Sequence, residues 1–326
     1  MSIQNTFRPR NVIEINRKVS IVLNTLNQKT VNPFGIFAIF IVTVILSLPF
    51  RVYQLMANVQ SETGFWKSHT HFSVFIFYVL IAFGIVMPIV MSLIYKKGLG
   101  KVESNAEKKP VGGVLSFAAA VGLVVDAIVR YTSFSNLYFD YTNGLAGSQP
   151  MMTFLSKSGA LAIGLEAFFA VVSAIFFLML GIAWLTGKDP SEYKLLAIMP
   201  VFWSIFRIMH RFMRKISFLN VSELFLELLM IVFLMMFFMA FAQITANVNG
   251  KGLEWKLFAY GLPGALFCLL CFVPRVVVTV LGHAELISAD SSIEFVDLTM
   301  AAFVLFVLVD RSRVFRKESK KDTFPE

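Results

Sequence analysis

Of 326 residues, 57% are hydrophobic and only 15% charged, with a mean hydropathy of +0.73; soluble domains are about half apolar and roughly 25% charged. The excess falls in blocks of about 17 to 25 residues, the length that crosses roughly 30 Å of hydrocarbon, and no polar stretch between them could form a large soluble domain. The net charge of +9 therefore reads as the basic bias of cytoplasmic loops rather than as a nucleic-acid surface.

Residues 1–32 come first, without the pattern of a cleavable signal. Arg8, Arg10, Arg17, Lys18 and Lys29 are interleaved with Val12, Ile15, Val19, Val22 and Leu26 at helical spacing. This suits either an amphipathic helix lying on the membrane surface or a soluble arm packed on loops. The first span is expected over 33–50, ending at Arg51, and the second over 72–95, ending at Lys96 and Lys97. A basic linker leads to a third span over 110–129. An aromatic loop then follows, with Tyr131, Phe134, Tyr138, Phe139 and Tyr141; such rings favour the headgroup layer. The fourth span is expected over 158–185.

Asp189, Pro190 and Glu192 supply a capping residue, a proline at the first helical position and an acid at the third, which predicts a helix over 189–217. Asn220 with Glu223 repeats the capping pattern and opens a sixth span to about 245. A seventh, over 256–281, contains Pro263 and Pro274, and a short eighth covers 295–309. The expected fold is an all-α polytopic transmembrane bundle of about eight spans. It divides into an N-terminal segment 1–32, a membrane domain 33–309 and a basic tail 310–326. Eight spans put both termini on one side, which then carries 20 of the 29 Lys and Arg residues while the acids divide evenly. The positive-inside rule places that side, and both termini, in the cytoplasm of a plasma-membrane protein. One feature opposes this: the cluster Arg207, His210, Arg211, Arg214 and Lys215 falls on the outer side.

The alternation of spans has a consequence for the charges. Arg51, Asp126, Arg130, Glu166, the 207–215 cluster, Glu223, Glu227, Arg275 and Asp297 all fall in the outer half of the bilayer. A lone Arg or Asp at the centre of a membrane helix costs about 2.5–3.5 kcal/mol on insertion scales. So many charges must face one another or water, and a polar vestibule opening outward is expected. Trp203, Arg207, Arg211 and Arg214 share one helix face, and Glu223 and Glu227 lie one turn apart on the next helix. Arg207, Arg211, Glu223 and Glu227 are therefore the expected ligand-binding set, since Arg forks onto phosphate or carboxylate. Helix-holding ion pairs and snorkelling to headgroups are the simpler alternative. Asp126 and Glu166, deeper among apolar neighbours, are the expected proton or cation couplers, unless each only pairs with Arg130 or Arg275.

Other patterns carry less. Cys268 and Cys271 lie in an apolar helix without further soft ligands and read as packing. His69, His71 and His283, with Glu62 or Glu285, are too few for a metal site. No cofactor, metal centre or catalytic set is expected. Gly112, Gly113 and Gly122 with Ala118 read as small residues for close helix packing. The functional expectation is a transporter-like or lipid-binding protein taking a small anionic or zwitterionic group, in contact with membrane lipids and with no nucleic-acid partner. Behind it stand a non-catalytic accessory subunit bound to a membrane protein partner, and an enzyme acting on a lipid-linked substrate.

Overall fold

Within a bilayer every backbone N–H and C=O must be bonded inside the protein, so apolar segments of this length have helices as their open-chain solution. The computed structural model describes residues 34–58, 67, 71–94, 108–143, 150–213, 221–247, 253–287 and 293–323, and among these no strand occurs. Helix α1 (Phe34–Tyr53) runs into a π-helical turn, Gln54–Asn58. Then come α2 (His71–Ile94), α3 (Pro110–Thr142), a short α4 (Met151–Lys157) and α5 (Ala160–Thr186). Two 3-10 turns, Pro190–Tyr193 and Leu196–Ile198, lead into α6 (Met199–Met213). Helices α7 (Val221–Thr245), α8 (Glu254–Val280) and α9 (Phe295–Thr323) complete the order.

Seven helical segments are long and apolar enough to cross a membrane: Gly35–Ala57, Phe72–Ile94, Pro110–Thr142, Ala160–Thr186, Leu196–Met213, Ser222–Thr245 and Glu254–Val280. The chain is thus a polytopic helical membrane protein. Helix α9 differs in kind. Its first half buries Val296, Met300, Phe303, Val304, Val307 and Leu308, and the same helix continues through the basic residues to Thr323. The apolar part, about 15 residues, is only roughly 22 Å long, which is why the expected eighth span falls outside the seven.

Helix α8 is the centre of the bundle. Of its most apolar window 67% is buried, against 22% for α2, and it packs on α1, α2, α7 and α9. Helices α3 and α5 make the most extensive pairing. They meet through Gly113 and Gly181, where a Cβ on Gly113 would lie 3.1 Å from the Gly181 carbonyl oxygen. Outward-facing Ile45, Phe75, Val121, Ile128 and Phe168 are exposed, as a lipid-facing surface requires. Between the ends of the bundle lies an aromatic layer. Phe177 meets Phe303 edge-on at 4.9 Å and Phe238 at 6.0 Å, and Trp184 stacks on Phe303 at 5.9 Å.

Two expected elements differ. Residues 131–141 are helix, not loop: α3 continues to Thr142 because neither Gly nor Pro interrupts it, and Phe134 and Tyr138, one turn apart, stack at 6.5 Å. The helix expected from Asp189 begins its α-helical part only at Met199. Asp189 does cap, accepting from the Ser191 N–H at 3.0 Å, but the turns it starts are 3-10. The 1–32 segment, His69, Arg214, Lys215 and the Asn220 cap lie outside the described residues.

Candidate functional site

At one end of the bundle charged side chains from several helices converge. Helix α3 presents Asp126 and Arg130, four residues apart and paired at 3.3 Å. Helix α5 adds Glu166, whose Oε1 accepts from Arg130 Nε at 3.0 Å. Helix α6 is amphipathic, and its buried stripe is Trp203, Arg207, His210 and Arg211. His210 Nδ1 lies 2.5 Å from the second oxygen of Glu166. Trp203 donates its indole N–H to Asp126 Oδ2 at 3.1 Å, and its ring lies 5.1 Å beneath the Arg207 guanidinium, a favourable cation–π geometry.

Glu294, just before the first turn of α9, is the hub of this lobe. Its Oε1 accepts from Arg130 Nη2 and from Arg211 Nη2, the latter at 2.7 Å, and its Oε2 accepts from Arg207 Nη2. Burial pushes the Glu294 carboxyl up, but Arg130, Arg207 and Arg211 outweigh it and hold it well below the usual range. One turn further along, Asp297 accepts from Arg207 at 2.9 Å.

A second lobe sits on α1, α7 and α8. Arg275 Nη2 donates to Glu223 Oε2 at 3.1 Å and to Glu227 Oε1 at 2.6 Å. Arg51 donates to the other oxygen of Glu223 at 3.3 Å and lies over the Phe77 ring. Arg211 joins the lobes: besides Glu294, it holds Glu227 Oε2 at 3.2 Å. Five guanidiniums, six carboxylates and one imidazole from seven helices thus form one connected network.

All of its side chains are buried. Glu166 is 0% exposed, Arg207 1% and Asp126 5%, and Glu223 and Glu294, the most open, each have a side-chain exposure of 8%. The charges close on one another in place of lining an open vestibule. Burial at this density requires such pairing, because one unmatched ion in the interior costs several kcal/mol. Nevertheless Arg207 Nε and Nη1 are buried without a hydrogen-bond partner among the described residues. Neither a family model, nor a curated protein, nor a solved structure matches this chain.

All six residues singled out in the sequence belong to this network, but not always with the expected partners. Arg211 pairs with Glu227 across the α6–α7 hairpin. Arg207 does not meet Glu223 or Glu227; it turns to Glu294 and Asp297. Glu223 instead takes Arg51 and Arg275. Asp126 and Glu166 share Arg130. Sequence reasoning missed Glu294, which reads as loop, and assigned no role to His210. The available signal was spacing: Glu294 stands three residues before Asp297, one helical turn, and so on the same face. Cys268 and Cys271 are buried free thiols in the core of α8. Chemically, the network offers carboxylates shared between cations and guanidiniums able to change acceptor.

Proposed function

We propose that the protein is a transporter-like or lipid-binding carrier of the plasma membrane, with both termini in the cytoplasm. In this reading Arg207 and Arg211 receive an anionic or zwitterionic group. Glu223 and Glu227 hold the facing wall, and Asp126 and Glu166 couple protons or cations. The observation that carries it is the sharing of acceptors: Glu294 serves three guanidiniums, and Glu223 and Glu227 serve two each. An incoming phosphate or carboxylate can replace one shared acceptor without stranding a buried charge. The Nε and Nη1 donors of Arg207 are left for it.

The completeness of the pairing favours a second reading, an accessory subunit bound to a membrane protein partner, in which the ion pairs specify helix packing. Native mass spectrometry on protein extracted gently from its own membrane separates the two. The carrier reading expects a bound phospholipid or small anion that is lost from the folded fraction of Arg207→Gln, a variant that is also less stable because it strands Glu294 and Asp297. A stoichiometric protein partner with no bound ligand would overturn it in favour of the accessory subunit.

A further inference from the structure

At the end of the bundle opposite the charged network, a cleft opens beside the Pro190–Tyr193 turn. The start of α3, the last turns of α5 and α7, and α9 form its other walls. Along each of these helices a network residue and a cleft residue stand far apart. Asp126 and Lys109, Glu166 and Trp184, Glu227 and Thr245, Asp297 and Asp310 are separated by roughly 20–27 Å of helix. The cleft is therefore a separate feature, and nothing in the carrier reading uses it.

Its lining combines aromatic rings with charged side chains. The floor is aromatic: Trp184, Phe241 and Phe306 line it, with Trp184 and Phe306 5.8 Å apart. Gly112 allows this floor to form, since a Cβ there would lie 2.7 Å from the Trp184 ring and clash with Phe306. The rim cations are already matched: Lys109 holds Asp310 at 2.5 Å, and Arg311 holds Glu254 at 3.5 Å. The rim acid Asp189 is not matched. One of its oxygens accepts from the Ser191 N–H, and it has no cation partner among the described residues. Helices α5 and α7 both end at the cleft, so their last carbonyls add partial negative charge. Asn247 terminates α7 here with φ of +53°, its N–H on the Ile244 carbonyl at 3.0 Å.

An unmatched carboxylate beside an aromatic floor favours a cation with an apolar body. We propose that this cleft binds a small organic cation, its ammonium group beside Asp189 and its apolar body on Trp184, Phe241 and Phe306. The proposal goes beyond the carrier reading and does not rest on it.

Titration calorimetry on the full chain in maltoside micelles tests it, with choline and tetraethylammonium as probes and ammonium and glutamate as controls. At least one probe binds saturably at one per chain, and ammonium, lacking an apolar body, binds at least about tenfold more weakly. Asp189→Asn keeps the capping oxygen and removes the charge, so it weakens the probe about tenfold at unchanged melting temperature. Phe306→Leu keeps apolar volume but removes a ring, and weakens it severalfold. The proposal is overturned if neither probe binds saturably up to about 10 mM, a ceiling near the weakest affinities of specific sites. It is equally overturned if Asp189→Asn leaves the affinity unchanged, or if glutamate binds more tightly than either cation.

Discussion

At the residue scale the energetics turn on Glu294. Three guanidiniums, from α3 and α6, point at one carboxylate whose side chain is 8% exposed. Removing one partner of a buried ionic group costs about 3–5 kcal/mol, more than the pair itself contributes, because the remaining charge is stranded. Glu294→Gln should therefore lower stability by about that amount, and by more than Asp297→Asn, whose carboxylate pairs with Arg207 alone among the described residues. Thermal unfolding in detergent measures both; equal losses would remove Glu294 from its place as hub. Since its carboxyl is held below the ordinary glutamate range, its contribution is complete at neutral pH and is lost only as pH falls below that range. The membership of Arg207, Arg211, Glu223, Glu227, Asp126 and Glu166 in a charged layer was legible from their depth along each span. Their partners were not, because whether Arg207 faces Glu223 or Asp297 depends on the rotation of α6 about its axis. That rotation is set by packing on α5 and α7.

At the scale of elements, apolar length and period were sufficient to locate the helices, while their ends followed local chemistry. Helix α3 overran its expected end because the aromatic stretch contains no breaker, and Asp189 capped a 3-10 turn instead of a long helix. The α3–α5 pairing follows from small residues, as Gly112 and Gly113 suggested. Without a hydrophobic driving force between helices in lipid, close backbone approach supplies the attraction. A Cβ on Gly113 would lie 2.6 Å from Leu185 Cγ. Gly113→Val should push the two helices apart and cost about 1–3 kcal/mol, the usual range for overpacking. Val114→Leu, at a lipid-facing position that is 62% exposed, should leave stability unchanged. Unfolding in detergent compares the two; a neutral Gly113→Val would show that the seam can relax.

At the scale of the whole molecule, the bundle has two chemically different ends joined by an aromatic layer. A buried ionic network lies at one end and a cleft floored by aromatic rings at the other. If both termini are cytoplasmic, the network belongs to the outer half of the bilayer. Single cysteines at Ser135 and Ser319, in a background lacking Cys268 and Cys271, test this. The first should react with a membrane-impermeant thiol reagent in whole cells and the second should not; the reverse pattern inverts the orientation. The residues in chain order were enough to determine a membrane bundle, its approximate spans and the level along each span at which charges intrude. Those properties depend on hydrophobic length and on alternation along one chain. Only the tertiary structure decided which charges meet, that Glu294 gathers three of them, that the network is closed, and that a cleft forms at the far end. Each of these depends on the angles at which several helices present their faces at once, and no single stretch of sequence specifies that.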